Sequence, residues 1–81
     1  MEVRTLFFAS YRDLVGAPEI SVELPSGATV ADLVASLRQR GYPFADFPAD
    51  PAVAVNHAYA GGDQVLAADD EVAFIPPVAG G

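Results

Sequence analysis

A single amphipathic helix among short, strand-like segments is the feature that most limits what this chain can fold into. Residues 29–40 carry one apolar stripe at helical spacing, formed by Val30, Leu33, Val34 and Leu37. Thr29 is the predicted N-cap, Asp32 stands where a capping box needs its acid, and Gly41 is the predicted stop. The apolar face of a single helix can be buried against only one other layer of secondary structure. The rest of the chain is therefore predicted to form a sheet that packs against this helix.

Alternating apolar and polar residues predict that sheet. The predicted strands are residues 2–9, 20–24, 53–56, 58–59 and 71–75, with 64–67 as a further short edge strand. Asn56-His57 is the turn between the third and fourth of them. Ser10 is expected to cap a helical turn that Gly16 ends, and residues 42–51 are expected to form an ordered loop with one short helical turn.

The order of these elements predicts an α+β fold of the β-grasp, ubiquitin-like type. One main helix covers one face of a mixed sheet of four to five strands, and the first and last strands run parallel in its centre. Residues 1–81 form a single domain. Proline cannot donate to a sheet ladder, so Pro76-Pro77 ends the last strand and residues 76–81 leave as an extended, flexible Gly-Gly tail.

Composition excludes several classes of function. The chain has no cysteine, a formal net charge of −7 and four basic residues, all arginine. Disulfides, thiolate metal sites and cysteine nucleophiles are excluded, and the expected location is the cytoplasm. There is no signal-peptide pattern and no apolar run long enough to cross a membrane. An acidic surface disfavours nucleic acid and suits basic protein partners.

No group of side chains has the pattern of an active site. His57 is the only histidine and stands in a predicted turn, so a surface position is the simplest interpretation. Asp69, Asp70 and Glu71 lack the spacing of a calcium loop, and Gly61-Gly62 lacks the rest of a phosphate loop. We therefore expect no metal, no cofactor bound by this chain and no enzymatic activity of the chain alone.

The C-terminal Gly80-Gly81 pair is the strongest candidate for chemistry. Two residues without side chains can pass through a narrow channel and present the Gly81 carboxylate to another protein. A carboxylate is a poor electrophile, and joining it to AMP would activate it. A sulfur donor could then displace AMP and leave a thiocarboxylate, which carries sulfur without cysteine. The residues expected to thread the tail are Pro76, Pro77, Val78, Ala79 and Gly80.

A docking patch is predicted beside the tail. If the first and last strands are neighbours, Leu6, Phe8 and Ile75 lie together on the outer face of the sheet. An exposed apolar cluster leading into a free tail is suited to partner binding. The alternative is that these three residues belong to the core.

Almost the whole chain resembles the small, sulfur-carrying subunit of molybdopterin synthase, of the MoaD/ThiS family of ubiquitin-like proteins. The most specific match is the ending Asp70-Glu71-Val72-Ala73-Phe74-Ile75-Pro76-Pro77-Val78-Ala79-Gly80-Gly81. The other matching stretches are Leu6-Phe7-Phe8-Ala9 followed by Arg12, Leu24-Pro25-Ser26-Gly27-Ala28-Thr29-Val30-Ala31-Asp32-Leu33, and Ala54-Val55-Asn56.

This resemblance implies a set of partners. An E1-like adenylyltransferase would use ATP to adenylate Gly81, and a cysteine desulfurase or rhodanese system would supply sulfur. The tail would then enter the large subunit of molybdopterin synthase, within a heterotetramer. There it would deliver sulfur to cyclic pyranopterin monophosphate to form molybdopterin, and the large subunit would supply the catalytic residues.

Two departures and three alternatives remain open. Asp69 stands where the family has glycine, and Ile75 stands where it often has an aromatic residue. The chain could instead carry sulfur for thiazole synthesis or tRNA thiolation. It could be a ubiquitin-like modifier of other proteins, although it has no lysine on which chains of itself could be built. It could also be an interaction domain whose Gly-Gly ending is accidental.

Overall fold

A computed structural model describes residues 1–77 and shows a five-stranded sheet with two α-helices. In chain order the elements are β1 (Glu2–Phe7), α1 (Ala9–Val15), β2 (Glu19–Glu23), α2 (Val30–Arg38), a 3-10 helix (Phe44–Asp46), β3 (Ala52–Val55), β4 (Ala58–Ala60) and β5 (Glu71–Ile75). The five strands predicted at residues 2–9, 20–24, 53–56, 58–59 and 71–75 are all present, with ends that differ from the prediction by at most two residues.

The sheet has the strand order β2-β1-β5-β3-β4. β1 and β5 are parallel, with Arg4 opposite Glu71 and Phe7 opposite Phe74, while the other three pairs are antiparallel. The first and last strands of the chain therefore lie side by side in the sheet, and β5 lies in its centre. This topology is the predicted β-grasp, and it fixes where the C-terminal segment leaves the domain.

The long helix α2 begins with the predicted capping box. The Thr29 amide donates to Asp32 Oδ2 at 2.9 Å, and the Asp32 amide donates to Thr29 Oγ1 at 3.2 Å. The whole predicted stripe is buried against the sheet. The helix ends at Arg38 with Gln39 as its C-cap, two residues before the predicted end at Arg40. Gly41, the predicted stop, follows in the left-handed backbone, φ 84°, that favours glycine. Neither helix within residues 1–77 is long and apolar enough to cross a membrane.

The loop between α2 and β3 completes the core. Its 3-10 helix is the predicted short helical turn, and it brings two phenylalanines onto the sheet. The Phe47 ring packs 5.8 Å from that of Phe7 and 5.6 Å from that of Phe74. It also stacks on Tyr11 at 4.5 Å, so this loop joins α1 to the central strands. The buried end of the sheet nearest the tail is therefore mainly aromatic.

The start of α1 differs from the prediction. Ser10 is not its cap, because the helix begins at Ala9 and Phe8 occupies the N-cap position without a side-chain bond. The Phe8 carbonyl accepts from the amides of Tyr11 and Arg12 at 3.0 and 3.3 Å. The backbone carbonyl of Phe8, the residue between β1 and α1, therefore closes the first turn. The predicted stop is correct, since Gly16 has left-handed geometry and donates to the Arg12 carbonyl.

The predicted edge strand at residues 64–67 is wrong. Val65 makes one isolated bridge, to Thr29, and the segment does not join the sheet. Leu66 is buried and its amide donates to the Ala28 carbonyl at 2.8 Å, while the Gln64 carbonyl accepts from Val30 at 2.9 Å. The buried Leu66 side chain and these backbone hydrogen bonds hold residues 64–67 against the N-terminal end of α2 instead.

Thr5 offers a test of the buried face of β1. Its side chain is fully buried, and Oγ1 has no hydrogen-bond partner within residues 1–77. Replacing an unsatisfied hydroxyl by a methyl group of similar shape removes a desolvation cost. We expect Thr5→Val to raise the free energy of unfolding by about 1 kcal/mol, measured by urea denaturation. Thr5→Ser keeps the hydroxyl and is the control, so equal gains from both variants would contradict this explanation.

Candidate functional site

The predicted patch residues lie on the sheet face away from α2. Leu6 is opposite Ala73 in the parallel pairing of β1 with β5, and Phe8 and Ile75 each follow the last pair of that ladder, Phe7 with Phe74. Leu6 and Ile75 are half-buried, and Phe8 is 46% exposed. Their neighbours Phe7 and Phe74 are almost fully buried on the other face. The three residues are therefore outside the core, while their role in binding a partner stays a prediction.

The last strand ends at the tail. The last pair of the ladder is Ala52 with Ile75, and Pro76 then follows without an amide proton to continue it. Pro76 is half-buried and Pro77 is exposed. The other tail residues predicted to matter, Val78, Ala79, Gly80 and Gly81, lie outside the described residues. Pro76 and Pro77, the described part of the tail, therefore follow directly after Ile75 of the docking patch.

A cleft of about 340 Å³ lies beside this exit, and we call it the exit cleft. Its lining comprises Tyr11, Pro48, Asp50, Pro51, Ala52, Tyr59, Ile75, Pro76 and Pro77. Tyr59 is 80% exposed and had no predicted role. The hairpin register opposite Ala54 places it on the outer face, which alternation from the Asn56-His57 turn could have indicated. It therefore extends the apolar surface from β5 across to β4.

Tyr11 connects the exit cleft to the core. Its ring is stacked on Phe47 and only 9% of the residue is exposed. Burial raises the pKa of the Tyr11 phenol above its ordinary value of 10.0. A tyrosine phenol is protonated at neutral pH, and this shift keeps the Tyr11 hydroxyl neutral to still higher pH.

The opposite end of β5 is held by a polar network. The Asn56 side chain donates to Asp70 Oδ1 at 3.0 Å and accepts from the Glu71 amide at 3.0 Å. Asp70 also accepts from the Ala67 amide at 2.8 Å. Asp69, where the resemblance led us to expect glycine, has φ 67°, a left-handed geometry that aspartate tolerates. These bonds fix the start of β5 and hence its register through to the exit.

We expect Asn56→Ala to lower the free energy of unfolding by about 1–2 kcal/mol, because two side-chain hydrogen bonds at this end of β5 disappear. Asn56 has φ 50°, so alanine also adds backbone strain. Asn56→Gly removes the same bonds without that strain and serves as the control. If the glycine variant is as stable as the unchanged chain in thermal unfolding, the hydrogen bonds contribute nothing.

Arg4 on the outer face pairs with carboxylates of both neighbouring strands, β2 and β5. Arg4 lies between two carboxylates, 3.6 Å from Glu19 and 3.2 Å from Glu71. Glu71 is also 3.4 Å from His57, whose side chain is 87% exposed in its turn, as predicted. Among the described residues no group of three or more potential ligands could hold a metal ion.

The five-stranded mixed sheet, with β1 and β5 parallel and α2 packed on one face, is the β-grasp architecture of ubiquitin-like proteins. The model of the ThiS family matches residues 5–81. The chain therefore belongs to the ThiS family.

Similar proteins agree with this membership. A "Molybdopterin synthase sulfur carrier subunit" of Mycobacterium tuberculosis is 38% identical over 82 residues, which cover 100% of this chain and 99% of the relative. A solved structure described as a putative molybdopterin converting factor, subunit 1, from Pyrococcus furiosus has a TM-score of 0.84 at 35% identity. It covers 96% of this chain and 99% of its own. SAMP1 from Haloferax volcanii, at 26% identity, has a TM-score of 0.83 with both chains fully covered.

Proposed function

We propose that this chain is a sulfur carrier in molybdenum cofactor biosynthesis, the small subunit of molybdopterin synthase. The observation that carries the proposal is the end-to-end match, at 38% identity, to the mycobacterial sulfur carrier subunit. The Pyrococcus neighbour, described as subunit 1 of a molybdopterin converting factor, supports the same assignment. Neither relative favours thiazole synthesis, tRNA thiolation or an accidental Gly-Gly ending.

The reactive group in this proposal is the carboxylate of Gly81. It attacks ATP at the α-phosphate, which forms an acyl-adenylate and releases pyrophosphate. Hydrosulfide then attacks the acyl carbon and AMP leaves, so the product is a thiocarboxylate; where the donor is a persulfide, a thiol cleaves the resulting acyl disulfide to give the same product. The thiocarboxylate sulfur then bonds to cyclic pyranopterin monophosphate, and water cleaves the acyl carbon–sulfur bond, which leaves the sulfur on the pterin and returns Gly81 to a carboxylate. The described domain supports this chemistry by holding β5 in the centre of the sheet, so that the tail starts from a fixed point.

Other proteins supply the catalysis. An E1-like adenylyltransferase activates Gly81 with ATP, and a cysteine desulfurase or rhodanese system provides sulfur. The large synthase subunit receives the tail within a heterotetramer. This chain binds no cofactor of its own in the proposal and works in the cytoplasm. Leu6, Phe8 and Ile75 form the docking patch, and Pro76, Pro77, Val78, Ala79 and Gly80 carry Gly81 into the partner.

A reconstituted synthesis tests the proposal. The chain is charged with adenylyltransferase, ATP and sulfide, purified, and added to the large subunit with cyclic pyranopterin monophosphate. We expect molybdopterin, detected as its fluorescent oxidised derivative, in amounts that rise in proportion to the charged chain. Uncharged chain is the matched control and should yield none. Equal product from charged and uncharged chain would contradict the carrier role.

The same reaction separates a carrier from a protein modifier. A modifier would form covalent conjugates with lysines of other proteins, visible as higher bands on a denaturing gel. All four basic residues of this chain are arginine, so copies of the chain cannot be joined through a lysine of their own. We expect free charged chain and no conjugates, and conjugates in place of molybdopterin would favour the modifier.

A further inference from the structure

We propose that the exit cleft binds the guanidinium group of an arginine on the docking partner. The inference rests on the proposed docking at the tail and adds the chemistry by which the partner is recognised. It follows from three features of the cleft: its aromatic and proline walls, its single carboxylate, and the charge distribution around it.

The walls of the cleft suit a flat, weakly hydrated group. Two tyrosines contribute, with Tyr11 fixed by its stacking on Phe47 and Tyr59 largely exposed on β4. Prolines and Ile75 supply rigid apolar surface, and the small Ala52 side chain leaves open space beside Ile75. Aromatic faces attract cations placed over them, and arginine is the cation most often found there.

Asp50 supplies the matching charge. Among the described residues of the lining it is the only charged one, and it forms no salt bridge or side-chain hydrogen bond with any residue between 1 and 77. The two carboxylates that flank Arg4 on the outer face, Glu19 and Glu71, are already paired with it. An incoming cation therefore finds an unshared carboxylate at the cleft, in a chain of net charge −7.

The chemistry favours arginine over lysine. A guanidinium is planar and presents a rigid fork of donors to a carboxylate, and its face can stack on a tyrosine ring. An ammonium is more strongly hydrated and would lose more hydration among prolines. The cleft is also continuous with the docking patch, because Ile75 belongs to both. An arginine seated there would lie beside the point where the tail enters the partner.

The first test uses a peptide in place of the partner. The ¹⁵N-labelled chain is titrated with acetyl-Gly-Arg-Gly-amide and, separately, with the matching citrulline and lysine peptides. We expect saturable amide shifts centred on residues 11, 50, 52 and 59, and affinity for the arginine peptide about fivefold above the other two. Equal affinity for the citrulline or lysine peptide, or shifts centred elsewhere, would overturn the assignment.

The second test removes the carboxylate. Asp50→Asn should weaken binding of both the arginine peptide and the large synthase subunit about fivefold, with a smaller effect at high salt. Asp46→Asn is the matched control, since it makes the same charge change on the exposed 3-10 helix outside the cleft. Equal effects of the two variants, or weakening with the peptide alone, would overturn the proposal. Formation of the thiocarboxylate on Gly81 is measured separately, so failure of the cleft proposal leaves the carrier role intact.

Discussion

Deletion of Gly81 is expected to abolish sulfur transfer to the large subunit while leaving the fold intact. The shortened chain still ends in a glycine carboxylate, so its chemistry is unchanged. Its reach falls by about 3.5 Å, the span of one extended residue. A reacting group must lie within a fraction of that distance of its target. The core lies between Val3 and Phe74, well before the deletion.

Two measurements on this variant separate reach from folding. Molybdopterin formation should fall to the background of the reaction without the chain, and the thermal unfolding midpoint should be unchanged. Gly81→Ala keeps the length and adds one methyl group, so it tests how narrow the receiving channel is. Retained transfer by the deleted chain would show that Gly81 is not the reacting residue, and loss of folding would show that the tail is structural.

Phe7→Ala is expected to lower mainly the folding stability, whereas Phe8→Ala is expected to weaken mainly the binding of the large subunit. Phe7 is 1% exposed and its ring packs against those of Phe44, Phe47 and Phe74. Phe7→Ala should therefore lower the free energy of unfolding by about 3–5 kcal/mol. Small domains have total stabilities of about 5–15 kcal/mol, so this variant should be unfolded in part at 37 °C.

Phe8→Ala should cost less than about 1 kcal/mol of folding stability, because nearly half of this residue is already in water. It should weaken binding to the large subunit by more than about 1 kcal/mol, as loss of a central interface side chain does. Urea unfolding and isothermal titration calorimetry measure the two quantities. A stable, fully binding Phe8→Ala variant would remove Phe8 from the docking patch.

The parts of the fold that sequence could predict are those set by local chemistry. The capping box at Thr29 and the apolar stripe located α2, and the Pro76-Pro77 pair located the end of β5. Alternation along β1 separated Phe7 from Phe8, and the structure confirms that the two residues differ greatly in exposure. The parallel pairing of β1 with β5 followed from the order of the elements, since few arrangements let one helix cover such a sheet.

The features that sequence missed depend on distant contacts. Residues 64–67 have the composition of a strand, but Leu66 is buried and the segment forms backbone hydrogen bonds with the N-terminal end of α2. Serine is a favourable N-cap residue, yet α1 begins before Ser10, and the backbone carbonyl of Phe8 closes its first turn. The exit cleft joins α1, the loop before β3, β4 and β5. Tyr59 lines the cleft because β4 pairs with β3, and the sequence of β4 alone does not reveal that pairing.

The central claim, that Gly81 carries sulfur, is tested most directly by the intact mass of the chain. The chain is incubated with its adenylyltransferase, ATP and a sulfur source, and its mass is measured before and after. We predict an increase equal to the replacement of one oxygen by one sulfur, confined to the C-terminal peptide and absent when ATP is omitted. An unchanged mass in the complete reaction, with the adenylyltransferase shown to be active, would contradict the account.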